Sequence, residues 1–282
     1  MTDFSDVLLT ADYDRTLTAR DSTVPRRNLE AIRYFMEHGG TFTVNSGRSL
    51  PMCAAFVDIV PVNAPLLLYN GSAACRNGEL SQCHPIELDM WTVLRETSEQ
   101  FPDLNVEVQG IDAHYCLREY PDYHKFYQAL HCASAQAEPG QDLGMFLKFS
   151  VFGTILEYNV DSMFRGPESE MRRLDEAEVW LKQKYGDKIE LLRAAPRILD
   201  IQARGVSKLK AARQLQQRLG KKILVCVGDA DNDLSMLEGA DYAFCPSDGV
   251  VADRFPNVCP CGDGAVADVI YKKIPEILEG MA

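Results

Sequence analysis

Residues 223–233 have the sequence ILVCVGDADND, and this stretch indicates the fold class. Its first part, Ile223–Val227, is a continuous apolar run, which is typical of a strand buried on both faces of a parallel sheet. Three aspartates, Asp229, Asp231 and Asp233, follow directly. Because ligands bind beyond the carboxyl ends of the strands in open parallel sheets, this pattern predicts a site at that edge.

The start of the chain repeats this arrangement. Val7–Ala11 is a short apolar run, and Asp12 and Asp14 follow it. Side chains two residues apart share one side of an extended chain, so both carboxylates can face the crevice beyond the strand. Carboxylates so close together repel each other, and a cation such as Mg²⁺ relieves the repulsion. Taken alone, this pair is explained better by an acidic turn or a helix cap, whereas the three aspartates in residues 229–233 are harder to explain that way.

The outer parts of the chain alternate between strand and helix patterns, and the middle does not. The alternation predicts an α/β domain with a doubly wound, parallel, Rossmann-like sheet, built from residues 1–83 and 204–282. Neighbouring strand patterns in the middle favour an antiparallel sheet, so we predict an α+β domain, residues 84–203, inserted into the outer one. The predicted strands are residues 7–11, 41–44, 66–69, 105–109, 115–118, 145–155, 189–192, 197–203, 223–227 and 242–245. The predicted helices are residues 25–38, 169–185, 208–219, 234–240 and 265–278, with a possible break at Pro275.

Two further polar segments lie at the ends of predicted elements. Ser46 and Gly47 follow the predicted strand 41–44, where a hydroxyl and main-chain N–H groups could hold a phosphoryl oxygen. A helix cap explains Ser46 equally well and is the commoner case. Lys208 opens a predicted helix, where a solvent-facing lysine is the usual expectation. A bound anion would offset the unfavourable position of a cation at a helix N-terminus.

Composition excludes several classes of function. The chain of 282 residues has 29 basic and 41 acidic residues, a formal net charge of −12. We therefore expect neither a nucleic-acid partner nor an anionic membrane surface, since both are bound by basic patches. The first residues carry no basic group and do not resemble a signal peptide. With nine irregularly spaced cysteines, this predicts a cytoplasmic protein with reduced thiols.

Together, the four polar segments resemble a known family. The order Asp-x-Asp at 12–14, Ser46, Lys208 and Gly-Asp-x-x-Asn-Asp at 228–233 resembles the haloacid dehalogenase-like (HAD) superfamily of phosphotransferases. The insertion between the serine and lysine segments is similar to the C2B cap of the Cof-type, class IIB subfamily, which includes many sugar-phosphate phosphatases. The resemblance covers nearly the whole chain and implies a HAD core with an inserted cap.

The resemblance also implies roles for individual residues. Asp12 matches the nucleophile, which forms an aspartyl-phosphate, and Asp14 matches the general acid/base. The family's phosphate-binding positions match Ser46, Lys208 and, on the substrate side, Asn232. Its Mg²⁺-binding positions match Asp229, Asp233, the Asp12 carboxylate and the Asp14 main-chain carbonyl. The family motif usually continues with glycine where this chain has Arg15. That arginine either adds positive charge near the phosphate or faces solvent, and we expect solvent.

The function implied is a Mg²⁺-dependent phosphatase for a small cytosolic phosphate ester, such as a sugar phosphate. We expect a monomer or a homodimer. Two alternatives remain open from the sequence: a sugar phosphomutase of the same fold, and a phosphate-binding module without catalysis. The sequence identifies neither the substrate nor the cap residues that select it.

Overall fold

The computed structural model describes residues 3–138 and 140–281, and it contains the predicted parallel sheet. All the strand pairs of this five-stranded sheet are parallel. Its strands are, in spatial order, Asn257–Val258, Tyr242–Pro246, Ile223–Val227, Val7–Ala11 and Thr41–Val44. The two strands that end in aspartates are therefore neighbours. Because Ala11 pairs with Val227, the acidic segments begin at the same level of the sheet edge.

Apolar side chains cover both faces of this sheet. Leu9 and Val225 belong to the hydrophobic cluster on one face, and Leu8 and Leu224 to the cluster on the other. Every residue of the two central strands is buried, as their mainly apolar sequences predict. The loops that follow these strands are thus anchored on the most deeply packed part of the domain.

The helices around this sheet differ from the prediction near the C-terminus. They are Arg26–Glu37, Lys208–Arg218, Leu234–Gly239, Ala265–Asp268 and Ile274–Met281. The helix predicted over 265–278 is interrupted by a π-helical turn, Val269–Lys273. Pro275 has no N–H to donate to the preceding turn, which favours a change of hydrogen-bond register there. No helix within residues 3–138 or 140–281 is long and apolar enough to cross a membrane.

The strand predicted over 66–69 exists but does not join the parallel sheet. Leu66–Leu68 pairs antiparallel with Ala73–Arg76, which pairs in turn with Glu79–Ser81. A single bridge, between Asn45 and Leu67, connects it to the end of the neighbouring core strand. Tyr69 and Asn70 have φ values of +52° and +54°, so the chain reverses after three strand residues. This turn puts Asn70 beside the site described below.

The inserted domain has a six-stranded sheet. Its strands are, in spatial order, Ile189–Ala195, Ile198–Ala203, Lys148–Phe152, Asn105–Gln109, His114–Cys116 and Ser134–Gln136. The strands Ile189–Ala195 and Ile198–Ala203 form a hairpin at its edge. The predicted antiparallel pairing is confirmed for all pairs except the last, which is parallel. Its helices are Met90–Gln100, Tyr123–Ala129 and Glu168–Tyr185. The limits of the segments 1–83, 84–203 and 204–282 stay a prediction.

Gly71 lies where the three-stranded sheet meets the helix that begins at Lys208. Its φ is +95°, and a Cβ atom there would lie 2.4 Å from the carbonyl oxygen of Ser207, the N-cap residue of that helix. Gly78 also has a positive φ, +82°, but a Cβ atom there would meet nothing within 4 Å. Of these two glycines, Gly71 alone approaches another backbone segment closely.

We expect Gly71→Ala to lower the free energy of unfolding by about 1–3 kcal/mol more than Gly78→Ala does. Both substitutions pay for a left-handed backbone, but Gly71→Ala also pushes on the residue that caps the Lys208 helix. Urea unfolding followed by circular dichroism measures the difference. Equal losses in the two variants would show that the contact with Ser207 is not tight.

Candidate active site

A buried lysine lies between two carboxylates at the edge of the parallel sheet. Lys208 Nζ is 2.6 Å from Asp12 Oδ1 and 2.6 Å from Asp233 Oδ1. Asp12 follows the strand Val7–Ala11, Lys208 is the first residue of its helix, and Asp233 precedes the helix Leu234–Gly239. Lys208 is 1% exposed, so the expectation of a solvent-facing lysine is wrong here.

The surrounding backbone fixes the position of Lys208. The Ser207 hydroxyl caps the helix by accepting from Lys210 N at 3.1 Å, and Asn45 Nδ2 donates to the Lys208 carbonyl at 2.9 Å. Burial opposes the charge of Lys208, but the carboxylates of Asp12 and Asp233 outweigh it and raise the pKa of the ammonium. Lys208 is therefore held as a cation inside the protein.

Three carboxylates of the cluster lie close enough together to hold a metal ion. Asp12, Asp229 and Asp233 each offer an oxygen within 4.8 Å of the others. Thr16 Oγ1 donates to Asp229 Oδ1 at 2.9 Å, whereas Asp229 Oδ2 is buried without a hydrogen-bond partner. An unpartnered buried carboxylate oxygen suits a hard cation, which prefers such ligands. Asp231, the third aspartate of the loop, is exposed and outside this trio.

Burial and neighbouring negative charge raise the pKa of two of these carboxylates, Asp12 and Asp229. Burial raises the pKa of Asp12 to about 7, with the Lys208 charge acting against this and the Asp233 carboxylate adding to it. Burial, followed by the charges of Asp233 and Asp12, raises the pKa of Asp229 well above its usual range. A divalent cation between these groups would replace the repulsion with attraction.

Asp233 supports the cluster from behind. Its Oδ1 accepts from Lys208, and its Oδ2 accepts from the main-chain N–H groups of Asp229 and Ala230 at 3.0 and 3.2 Å. Both oxygens are thus already engaged within the protein. The residue fixes the loop that presents Asp229, and it fixes the lysine that faces Asp12.

Asp14 lies outside the trio and is held by an arginine. Arg48 Nε and Nη2 donate to the two oxygens of the Asp14 carboxylate, each at 2.8 Å. The guanidinium also stacks on the Tyr13 ring, 4.6 Å from its centroid. Our sequence reasoning did not assign a role to Arg48. Its position directly after Ser46 and Gly47, which were assigned to the site, could have indicated that Arg48 belongs to the site too.

Ser46, Gly47 and Asn232 line the same cleft as Asp12 and Asp14. The Ser46 hydroxyl accepts from Arg48 N at 3.1 Å within a tight turn, so it does not cap a helix as the alternative supposed. A Cβ atom on Gly47 would lie 2.8 Å from Asn70 Oδ1, so this position has room for glycine alone without displacing Asn70. Asn232 Nδ2 also approaches that oxygen, at 3.4 Å.

Arg15 is buried, and the expectation that it faces solvent is wrong. The residue is 9% exposed and has a φ of +60°. Its Nη1 lies 3.2 Å from Asp161 Oδ1, its Nε lies 3.7 Å from Asp229 Oδ2, and its guanidinium lies 3.9 Å from the centroid of the Phe164 ring. Two carboxylates and an aromatic face therefore compensate the buried charge. Asp161 and Phe164 belong to the inserted domain, so Arg15 joins that domain to the acidic loop.

A second buried ion pair connects the inserted domain to the site. Lys148 Nζ donates to the Gly47 carbonyl at 2.7 Å and to Asp200 Oδ2 at 2.8 Å. Asp200 Oδ2 also accepts from Asn70 Nδ2 at 2.9 Å. Between the two domains lies a cleft with about 820 Å³ of space not filled by protein atoms, open solvent included. Sequence reasoning missed these cap residues because nothing local marks them.

Comparisons with known proteins agree with this architecture. A family model described as haloacid dehalogenase-like hydrolase matches residues 9–250. The chain is 23% identical, over 252 residues, to the 5-amino-6-(5-phospho-D-ribitylamino)uracil phosphatase YitU of Bacillus subtilis, covering 87% of this chain and 88% of that protein.

Two solved structures are similar along nearly their whole length. A haloacid dehalogenase-like hydrolase from Bacteroides thetaiotaomicron has a TM-score of 0.77 at 18% identity, with 94% of this chain and 98% of that chain covered. The HAD subclass IIB sugar phosphatase BT4131 has a TM-score of 0.74 at 17% identity, with 96% and 98% covered. At these identities the similarity establishes the fold, with its core and cap.

We expect a divalent cation to raise the unfolding temperature, and to do so more at about pH 8 than at about pH 5. The folded-state pKa of Asp12 is raised from 3.8 to about 7. Without a cation, stability therefore falls as the pH rises through this window. At about pH 5, inside the window, Asp12 is still largely protonated and protons compete with the cation. Thermal unfolding in millimolar MgCl₂ and in EDTA measures the effect.

The matched variants for this experiment are Asp229→Asn and Asp231→Asn. Both remove one carboxylate from the same loop, but Asp229 is buried in the trio and Asp231 is exposed. We expect the first substitution to abolish most of the cation's effect and the second to preserve it. An equal effect in the two variants would contradict the metal site.

Replacing Arg15 by the family's glycine tests its role between the domains. We expect Arg15→Gly to increase amide hydrogen exchange in the segment Val160–Phe164 by about tenfold, because its ion pair and its ring contact are lost. Arg20→Gly is the control, since Arg20 is exposed and pairs with Asp248 outside the cleft. Unchanged exchange in Arg15→Gly would show that other contacts hold this segment.

Proposed function

Because the chain belongs to the haloacid dehalogenase-like hydrolase family and is a phosphatase of that family, we propose that it hydrolyses a small phosphate monoester with the help of Mg²⁺. The reaction proceeds through an aspartyl-phosphate on Asp12. The observation that carries the proposal is the cluster of Lys208, Asp12, Asp229 and Asp233 at the edge of the parallel sheet. Asp12 is paired with the buried cation Lys208 and lies beside Asp229, whose buried Oδ2 accepts no hydrogen bond.

Asp12 and Asp14 divide the chemistry between them. A carboxylate oxygen of Asp12 bonds to phosphorus while the bond from phosphorus to the leaving oxygen breaks. Asp14 gives a proton to that oxygen and then takes one from the water that hydrolyses the aspartyl-phosphate. The products are an alcohol and inorganic phosphate, and Asp12 is regenerated.

The ion pair between Arg48 and Asp14 has to open before Asp14 can deliver a proton. A phosphoryl group that enters beside Ser46 and Gly47 offers the guanidinium a competing anion, to which it can form charge-assisted hydrogen bonds. Substrate binding thus frees the acid at the moment when it is needed. Arg48 is the residue that would couple the two events.

The remaining polar groups bind and neutralise the phosphoryl group. Lys208 compensates the negative charge of Asp12, and Ser46, the main-chain N–H groups near Gly47 and Asn232 hold phosphoryl oxygens. Mg²⁺, when bound, neutralises the charge that develops on the transferring group. Asp12, Asp229 and the Asp14 main-chain carbonyl are its proposed ligands, with Asp233 behind them.

The relatives suggest a small phosphorylated metabolite without fixing which one. YitU is named for a uracil derivative and BT4131 is described as a sugar phosphatase, so the leaving groups differ although the fold is shared. We place the reaction in the cytosol. All nine cysteines are free thiols, which suits a reducing compartment.

We expect Asp12→Asn to lower kcat for a generic ester such as 4-nitrophenyl phosphate by at least about 10³-fold, because the amide cannot act as the nucleophile. Phosphate release in MgCl₂ measures this, and Asp21→Asn, at an exposed carboxylate further along the chain, is the control. Near-normal turnover by Asp12→Asn would reject the mechanism. In a separate assay with a sugar phosphate as substrate, an isomerised sugar phosphate without free phosphate would identify a phosphomutase instead.

A further inference from the structure

The cap wall of the cleft is mostly apolar. Side chains from four regions of the inserted domain line it: Phe126, Leu130, Phe152, Met163, Phe164 and Ile198. The polar catalytic groups lie opposite, on the core side of the cleft. A ligand whose phosphate rests on the core therefore places its leaving group against hydrocarbon and aromatic surface.

Two polar patches lie on this wall, one around Glu107 and one around Asp200. The carboxylate of the first patch has its hydrogen-bond partners within the protein. Glu107 is buried and accepts hydrogen bonds from Tyr123 OH at 2.8 Å, Tyr127 OH at 2.6 Å and Gln109 Nε2 at 3.0 Å. The hydrogen bonds to Glu107 come from cap side chains, so they are made without a ligand. Little of this carboxylate remains for the hydroxyl groups of a sugar.

The other patch is satisfied in the same way. Asp200 accepts from Lys148 Nζ and Asn70 Nδ2 through one oxygen, and from Ser150 Oγ at 2.7 Å through the other. Lys148 also donates to the Gly47 carbonyl, so at most one of its N–H groups is left for a ligand. The second patch serves to dock the cap on the core.

Gln109 is the exception on this wall. Among the described residues that line the cleft, two buried side-chain oxygens have no hydrogen-bond partner: Asp229 Oδ2 on the core side and Gln109 Oε1 on the cap side. Gln109 is 6% exposed. Its amide nitrogen donates to Glu107, which is an acceptor, so the orientation of the amide is fixed and its oxygen is the free atom.

We propose that the leaving group of the substrate is a flat, largely apolar ring that carries an N–H or O–H donor for Gln109 Oε1. The proposal rests on the function proposed above and names its substrate class. A polyhydroxylated leaving group would lose its water against this wall and find few partners, whereas a ring would contact the wall along its faces. The single free acceptor then orients the ring.

Matched pairs of esters test the proposal, because the members of a pair bear the phosphate on the same kind of carbon. Uridine or adenosine 5′-monophosphate is compared with ribose 5-phosphate, flavin mononucleotide with ribitol 5-phosphate, and pyridoxal 5′-phosphate with glucose 6-phosphate. We expect kcat/KM to be at least tenfold higher for the ring-bearing ester in at least one pair. A ratio below tenfold in every pair overturns the proposal.

A parallel assay with 4-nitrophenyl phosphate separates the two possible failures. Turnover that is lost in Asp12→Asn, together with no preference for rings, leaves the phosphatase function standing and rejects the substrate class. Absence of turnover with every ester, 4-nitrophenyl phosphate included, rejects the phosphatase function and the substrate class with it.

The role of Gln109 is tested with Gln109→Leu, which removes the free acceptor at nearly constant volume. We expect the ratio of kcat/KM for the preferred ring-bearing ester to that for its ring-free partner to fall at least fivefold, mainly through KM. Gln128→Leu, at an exposed glutamine on the helix Tyr123–Ala129, is the control. If Gln109→Leu does not fold, the unsubstituted protein is assayed with a ring-bearing ester whose N–H or O–H donor is methylated. We expect the same fall in the ratio of kcat/KM values. An unchanged ratio contradicts the role of Gln109.

Discussion

The burial of one lysine among three carboxylates is the constraint on which the rest of the structure depends. Taking these charges out of water is costly, and the cost is offset only where each group has partners in good geometry. Lys208 has Asp12 and Asp233, and Asp233 also accepts from two main-chain amides. The remaining excess of negative charge is what a divalent cation would neutralise. The strands, the helix caps and the tight turns around the cleft place these groups.

The cluster also resolves an apparent contradiction between the acidic chain and an anionic substrate. The formal net charge of −12 describes the whole chain, and most of its charged groups lie at the surface. Four cations are buried around the cleft instead: Arg15, Arg48, Lys148 and Lys208. Each of them is paired with a carboxylate of the core or the cap. In a water-poor site these local charges outweigh distant surface charges, which solvent and salt screen.

The sequence was sufficient to predict the parallel sheet and the groups at its edge. Asp12 and Asp229 each follow a mainly apolar strand, so local pattern alone predicts that they lie at one edge of the sheet. The strand Leu66–Leu68 could not be placed in the same way, because its apolar pattern does not reveal the left-handed turn at Tyr69 and Asn70 that diverts it. Local pattern predicts elements and their ends, but not the partners of a short strand.

Contacts between the domains were beyond prediction for a different physical reason. Lys148 of the cap and the Gly47 carbonyl of the core are 101 residues apart along the chain and meet only in the folded protein. Arg15 was assigned to solvent because a charged residue in a turn is usually exposed, and its partners Asp161 and Phe164 lie in a distant segment. Such contacts depend on how the cap sits on the core.

The same contacts between cap and core must break when the cleft opens. Two of the contacts that hold the cap beside the site come from buried cations, Arg15 to Asp161 and Lys148 to the Gly47 carbonyl. Moving the cap away would break both contacts and expose both cations to water. Hydration of the cations would then offset part of the lost interaction energy. Closing the cap over a bound ester would remove that water and strengthen every charge interaction around Asp12. Cap closure and the electrostatics of the acidic cluster would therefore be coupled, because both cations border the residues that we propose to bind the phosphoryl group.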